Sequence, residues 1–285
     1  MTLLVFGKTG QVATELQARA GSFEEDILFL GRDQADLSDP AACAAAIDAH
    51  RPSAVINAAA YTAVDKAEEE EALATRINGE APGAMARACA ALGIPFLHVS
   101  TDYVFAGTGT TAWTETDPIA PQNAYGRSKA AGEAAIVASG GTWAILRTSW
   151  VFSAHGANFV KTMLRLSESR DALSVVEDQI GGPTPAGAIA EALLSMLQQM
   201  RTGAKGGLYH FSGTPATSWK CFARETFDLA GRAVTVSGIP TSDYPTPASR
   251  PLNSRLDCSA LAADFKIEQP DWQAHLAEIV KELSV

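Results

Sequence analysis

The sequence predicts an α/β protein: a doubly wound parallel sheet with a smaller, discontinuous α/β domain. Three observations predict it. Short apolar runs alternate with helical stretches through the first half of the chain. A glycine-spaced turn joins the first run to the first helix. The second half breaks into less regular pieces around a proline-dense loop.

The elements follow in order. "LLVF" (Leu3–Phe6) is a short apolar run stopped by Gly7 and reads as a buried strand. Residues 11 to about 20 carry a helical pattern, and "DILFL" (Asp26–Leu30) is the second strand. Pro40–Arg51 opens with proline in its first turn and is alanine-rich, which suits a helix. "AVIN" (Ala54–Asn57) is the third strand. Glu80–Leu92 is helical and stops at Gly93, a natural residue past a helix end. "PFLHVS" (Pro95–Ser100) is the fourth strand, Tyr125–Ala138 a helix, and "WAILRT" (Trp143–Thr148) the fifth strand. Short, wholly apolar strands separated by helices imply a parallel sheet covered on both faces. Later, Ile189–Met200, Trp219–Ala230 and Trp272–Leu283 read as helices, and "GLYHFSG" and "AVTVSG" as strands. Pro240–Pro251 reads as an irregular loop.

Bulk properties exclude several classes. The chain has 285 residues, 47% hydrophobic and 19% charged, the balance of a folded soluble protein. The apolar runs fall short of the roughly 18 residues of a membrane span, and the first is too short for a signal-peptide core. These features predict a cytoplasmic protein with no membrane partner. A net charge of −10 argues against a nucleic-acid partner, which needs a basic face. The four cysteines form no C-x-x-C pair and the five histidines no H-E-x-x-H, so neither a zinc nor a redox motif is expected.

The chemistry concentrates in a few stretches. "GKTGQVATEL" gives Gly7-x-x-Gly10-x-x-Ala13 between a strand and a helix. The first glycine turns tightly and the second lets backbone approach a pyrophosphate. The small third residue lets helix pack on strand. The N–H groups at the helix start, from Gly10 through Gln11 and Val12, then face an anion. This placement after a strand and before a helix predicts the dinucleotide-binding turn of a Rossmann sheet rather than a purely structural turn. At the end of the second strand stands Arg32, whose fork of donors suits a 2′-phosphate and favours NADP over NAD, although Asp33 is adjacent. Asp36 and Leu37 are placed to flank the adenine. Ala60, Tyr61 and Thr62 follow the third strand, at the ligand crevice of a doubly wound sheet. Ser100 and Thr101 bring hydroxyls to the same edge. Tyr125 and Lys129 lie four residues apart, on one helix face. An ammonium beside a phenol favours the phenolate and should lower its pKa toward the working range. Such a phenol can give a proton to a carbonyl oxygen as hydride reaches the carbon.

The glycine turn, Thr101, Tyr125 and Lys129 resemble the extended short-chain dehydrogenase/reductase pattern. The strings "NAAAYTAVDKAE", "STDYVF", "YGRSKAAGE", "LRTSWVF", "DQIGGPT" and "YPTPASRPLNSRLD" narrow the likeness to the dTDP-4-dehydrorhamnose reductase family, across nearly the whole chain. The resemblance implies reduction of the 4-keto group of dTDP-4-dehydro-L-rhamnose by NADPH or NADH, giving dTDP-L-rhamnose for bacterial surface polysaccharide. It implies Tyr125 as proton donor with Lys129 its partner, and Thr101 polarising the keto oxygen. Asp102 and Trp150 would meet the sugar, and Arg250, Asn253 and Arg255 would belong to the nucleotide-sugar site. Some relatives form magnesium-linked dimers through acidic residues; no metal site is expected here, Glu15 being the one residue that could serve such a contact, and the chain is expected to be a monomer or homodimer. Residues 1–149 would hold the cofactor, with about 175–212 returning to that domain. Residues 150–174 and 213–285 would mainly hold substrate. Two alternatives share the pattern: a nucleotide-sugar epimerase or dehydratase, and a non-enzymatic NADP-binding regulatory subunit.

Overall fold

A computed structural model describes residues 2–23 and 25–284. The first half alternates as expected: β1 (Thr2–Phe6), α1 (Gln11–Arg19), β2 (Asp26–Leu30), α2 (Pro40–His50) and β3 (Ala54–Asn57). Two short helices, α3 (Val64–Ala67) and α4 (Glu71–Thr75), lead through a π turn at Arg76–Glu80 into α5 (Ala81–Leu92). Then come β4 (Phe96–Thr101), α6 (Ala124–Val137) and β5 (Trp143–Thr148). The second half is β6 (Val151–Phe152), α7 (Phe159–Ser167), β7 (Ala172–Val176), β8 (Ile180–Gly181), β9 (Thr184–Pro185) and α8 (Ala186–Arg201). It continues with β10 (Leu208–His210), β11 (Thr217–Ser218), α9 (Trp219–Leu229), β12 (Thr235–Ile239) and β13 (Asn253–Ser254), then α10 (Ser259–Phe265) and α11 (Trp272–Leu283).

The large sheet has six strands in the order β10-β5-β4-β3-β1-β2, each pair parallel. Strand order reverses between β1 and β3, and that reversal opens a crevice at their C-terminal ends. Both faces are covered. On one, Leu3, Val5 and Leu97 pack with Leu16 of α1, Leu193 and Leu197 of α8, and Leu261 and Phe265 of α10. On the other, Leu4, Phe6 and Val55 pack with Ile47 of α2, Met85 of α5 and Ile136 of α6. Burying a side chain of this size contributes about 1.5–3 kcal/mol, so two such layers explain why every residue from Leu3 to Phe6 is apolar.

The second half builds a smaller unit around α7, α9 and α11. Phe152, Phe222, Trp272 and Leu276 form one of its cores, and Leu173, Val175 and Phe227 another. β7 pairs with β12 inside this unit, and the chain rejoins the large core at α8 and again at α10. The strand expected at Ala233–Gly238 runs from Thr235 to Ile239. Among the described residues, no helix is long and apolar enough to cross a membrane.

Candidate active site

A cleft of about 980 Å³ follows the C-terminal edge of the large sheet. Its floor starts at the glycine turn. Gly7 takes φ +117°, a conformation L side chains rarely adopt, and a Cβ there would lie 3.3 Å from the carbonyl carbon of Ala58. Gly10 caps α1 with no side-chain hydrogen bond, so the first N–H groups of that helix point out uncapped. An uncapped helix start over a close backbone approach fits a pyrophosphate. Gln11 and Val12 line the cleft here, and the Gln11 side chain accepts from Ser153 Oγ (2.9 Å) and Asn158 Nδ2 (3.0 Å), tying the turn to the loop after β6.

Arg32, Asp36 and Leu37 line the outer end of the cleft. Arg32 is exposed, whereas Asp36 is committed to its own turn, accepting from Ser38 N at 2.8 Å. That bond holds the Asp36 carboxyl below its usual range. Ala60 and Thr62 line the cleft as well. Tyr61 between them does not. Asn78 takes its backbone N–H and C=O (2.8 and 3.0 Å), and its hydroxyl turns away to Glu70 Oε2 at 2.9 Å.

The other end of the cleft is assembled by α6. Asn123 caps it, its Oδ1 accepting from Gly126 N at 2.7 Å and its Nδ2 donating to Ser249 O at 2.7 Å. Gly126 has no room for a side chain: a Cβ would sit 2.2 Å from Tyr103 O. This close approach brings Tyr125 and Lys129 against the end of β4, and both line the cleft. Thr101 ends β4, nearly buried, donating to Asp102 Oδ1 at 3.1 Å. Asp102 Oδ2 accepts from Ser254 Oγ at 2.5 Å. Burial pushes the Asp102 carboxyl up to about 6, against both hydroxyl bonds.

The expected acidic phenol is corrected here. Burial pushes Tyr125 up to about 12, against the lowering hydrogen bond with Thr101 and with the charge of Asp102 adding to the rise. Lys129 does not offset it, because Nζ donates to Val99 O (2.6 Å) and meets His98 Nε2 (3.0 Å) instead of the phenol. Burial also lowers Lys129 to about 8, with Glu133 opposing the fall.

Trp150 lines the far wall in a left-handed conformation (φ 49°), uncommon for a bulky side chain. Its ring stacks on Trp219 with centroids 3.6 Å apart and planes 13° apart, and Trp219 lines the cleft too. Sequence reasoning placed Trp219 only at a helix start. Its part in the cleft depends on a tertiary stack across which no short-range pattern runs. Thr148, at the end of β5 beside Thr101, was likewise read only as strand. It lines the cleft and its Oγ1 is buried with no hydrogen-bond partner, an atom a ligand would satisfy.

The remaining expected residues lie outside the cleft wall. Arg250 forms a two-pronged pair with Asp65, both contacts 2.8 Å. Asn253 is buried, bonding Thr108 O (3.3 Å) and Thr111 O (2.7 Å). Arg255 donates to Asn253 Oδ1 at 3.0 Å. Glu15 pairs with Arg19 at 2.5 Å, and among the described residues no acidic, histidine or cysteine cluster could hold a metal ion, so a magnesium contact at Glu15 gains no support.

A parallel sheet with a glycine turn under its crevice and a Thr–Tyr–Lys set at the edge defines an extended short-chain dehydrogenase/reductase. Comparison with known proteins narrows the class. The RmlD substrate binding domain family matches residues 1–285. A dTDP-4-dehydrorhamnose reductase of Burkholderia thailandensis is 45% identical, over 99% of each chain. A crystal structure of a dTDP-4-dehydrorhamnose reductase from Clostridium acetobutylicum superposes with a TM-score of 0.95 at 34% identity, covering 100% of both chains. That of the Bacillus anthracis enzyme, in complex with NADP, gives 0.91 at 34% identity over 99% of both. The chain belongs to the dTDP-4-dehydrorhamnose reductase family.

Proposed function

We propose that this chain reduces the 4-keto group of dTDP-4-dehydro-L-rhamnose to the alcohol of dTDP-L-rhamnose, with NADPH as the preferred reductant. The observation that carries the reading is one cleft running from the uncapped start of α1 to the hydroxyls of Thr101 and Tyr125. NADPH, when bound, supplies the hydride. Gly7, Gly10 and the N–H groups at Gln11 and Val12 would hold its pyrophosphate, and Arg32 its 2′-phosphate. Thr101, turning its one hydroxyl proton away from Asp102 Oδ1, would donate a hydrogen bond to the keto oxygen and stabilise the charge that grows there. Tyr125, neutral at working pH, gives its proton to that oxygen. A phenol near 12 is protonated across the physiological range, so it serves as donor without first being recharged. Trp150 and Trp219 form an apolar wall suited to a sugar ring or base. Residues 1–149 with α8, β10 and α10 would form the cofactor domain, and the unit around α7, α9 and α11 the substrate side.

The test is a coupled assay from dTDP-4-keto-6-deoxyglucose and a 3,5-epimerase, following NADPH absorbance. Stoichiometric loss of absorbance is expected. An epimerase or dehydratase returns its hydride and would show no net loss, and a regulatory subunit would show none either. Tyr125→Phe should lower turnover at least about a hundredfold while leaving NADPH binding in place, and near-normal turnover would remove Tyr125 from its role.

A further inference from the structure

Behind the lysine lies a polar pair that the reduction does not use. Asn57 ends β3 and His98 sits beside it on β4, paired in register. They are 0% and 1% exposed. Buried polar groups must be matched donor to acceptor, so counting hydrogens along this chain is informative. The backbone N–H of Ala59 can only donate, and it meets Asn57 Oδ1 at 3.1 Å. That contact fixes which end of the amide is which. Asn57 Nδ2 therefore faces His98 Nδ1, at 3.1 Å. An amide nitrogen only donates, so Nδ1 holds the lone pair and the neutral ring carries its proton on Nε2. Nε2 lies 3.0 Å from Lys129 Nζ. An ammonium has three protons and no acceptor, whereas a neutral amine has one lone pair. The chain from Ala59 through Asn57 and His98 closes without conflict when Lys129 is the amine, with one of its own protons on Val99 O.

We propose that His98, oriented by Asn57, is a positioning residue that favours the neutral amine of Lys129 in the ligand-free protein, so that in mildly alkaline solution cofactor binding draws one proton from solvent onto Nζ. The inference rests on the reductase reading above. The proton comes from buffer and forms the third N–H of Nζ, and the ring keeps its own proton on Nε2. An anionic dinucleotide with hydroxyl acceptors favours the ammonium, which then leaves the Nε2–H it can no longer accept. The other groups around Nζ do not impose the charge first. Glu133, four residues on along α6, is matched by Arg147 of β5 at 2.6 Å and by Ser100 Oγ at 2.5 Å. Asp102 is held by Ser254 and Thr101, and Tyr125 stays neutral. Burial lowers Lys129 to about 8, and burial alone already holds His98 below its ordinary range, so the ring is not an imidazolium.

The experiment is titration calorimetry of the whole protein with NADPH at pH 9, in two buffers of different ionisation enthalpy. The 2′-phosphate is fully ionised there, so uptake reports the protein. Uptake approaching one proton per NADPH is expected. Asn57→Asp offers oxygen to Nδ1, moves the ring proton there and leaves Nε2 as an acceptor for an ammonium. His98→Gln can turn its carbonyl to Nζ with the same effect. Both should bind NADPH with the uptake lost. Nitrogen-15 NMR of the ligand-free wild-type protein reads the tautomer without any substitution, and a bare Nδ1 with a protonated Nε2 is expected at His98. A protonated Nδ1, no uptake by the wild type, or unchanged uptake in both folded variants would overturn the inference. NADPH binding and turnover without uptake sinks this inference alone, whereas no NADPH binding at all sinks the reductase reading with it.

Discussion

Asp102 offers the sharpest quantitative test of the site's electrostatics. Replacing it by asparagine keeps the shape and removes the ionisation. Burial raises this carboxyl from its ordinary 3.8 to about 6 in the folded chain, where it is 3% exposed. At about 1.4 kcal/mol per tenfold change, that rise is about 3 kcal/mol of destabilisation for the ionised form. The sign follows from proton counting. Between 3.8 and about 6 the folded state holds a proton that the unfolded state has released, so this group's favourable contribution is complete below 3.8. It is lost as pH rises through the folded value. The substitution sacrifices some hydrogen bonding. Ser254 and Thr101 both donate to the carboxylate, and one hydroxyl must reverse toward the amide nitrogen, costing roughly 1 kcal/mol. Asp102→Asn should therefore be about 2 kcal/mol more stable than the wild type at pH 8. The advantage should shrink steadily toward pH 4.5. Urea denaturation of both proteins at the two pH values measures it, and taking the difference cancels the other carboxylates. A gap that does not change with pH, or a variant less stable at pH 8, would refute the reasoning.

Other substitutions probe the rest of the cleft. Arg32→Ala should reduce kcat/KM for NADPH by about tenfold to a hundredfold, the loss of a charge-assisted bond, with little change for NADH. Equal effects on both would show that the arginine does not read the 2′-phosphate. Thr148→Val removes a buried hydroxyl without a partner, so the ligand-free protein should gain about 1 kcal/mol in thermal unfolding. The same variant should raise the KM of NADPH or of the sugar nucleotide, and if neither rises, that hydroxyl has no ligand.

The first half of the fold was legible because each signal there is local. The apolar run Leu3–Phe6, the glycine turn and the stop at Gly93 all appear within a few residues of where they act. The second half was harder to read. β6, β8, β9, β11 and β13 are two residues each, too short for any period to show, and their pairing comes from distant partners. α7 carries Val160 and Met163 into the small unit's cores, a role that only its distant packing partners reveal. The site divided in the same way. Gly7, Gly10, Thr101 and Tyr125 stand where a strand or helix end meets the crevice, and Lys129 follows one turn further along α6. The Tyr125 shift runs opposite to the expectation because spacing on a helix gives proximity but not orientation. The length of a lysine lets Nζ turn to His98, and nothing in the string Asn123–Glu133 reveals that partner.

The same point bears on how an acidic chain holds an anionic ligand. Sequence reasoning looked to Arg250 and Arg255 for positive charge, and the structure ties the first to Asp65 and the second to Asn253. The cations that line the cleft are Lys8, Arg32 and Lys129, set against Asp33, Asp36 and Asp102. With Lys129 near 8 and Asp102 near 6, formal charge in the cleft is close to balanced at neutral pH. In the proposed reading, attraction for a diphosphate would then fall to the uncapped N–H groups of α1, whose partial charge does not titrate. An anion site made of backbone leaves the neighbouring ionisable groups free to carry the proton chemistry. That division explains how a chain of net charge −10 can bind a nucleotide without a basic face.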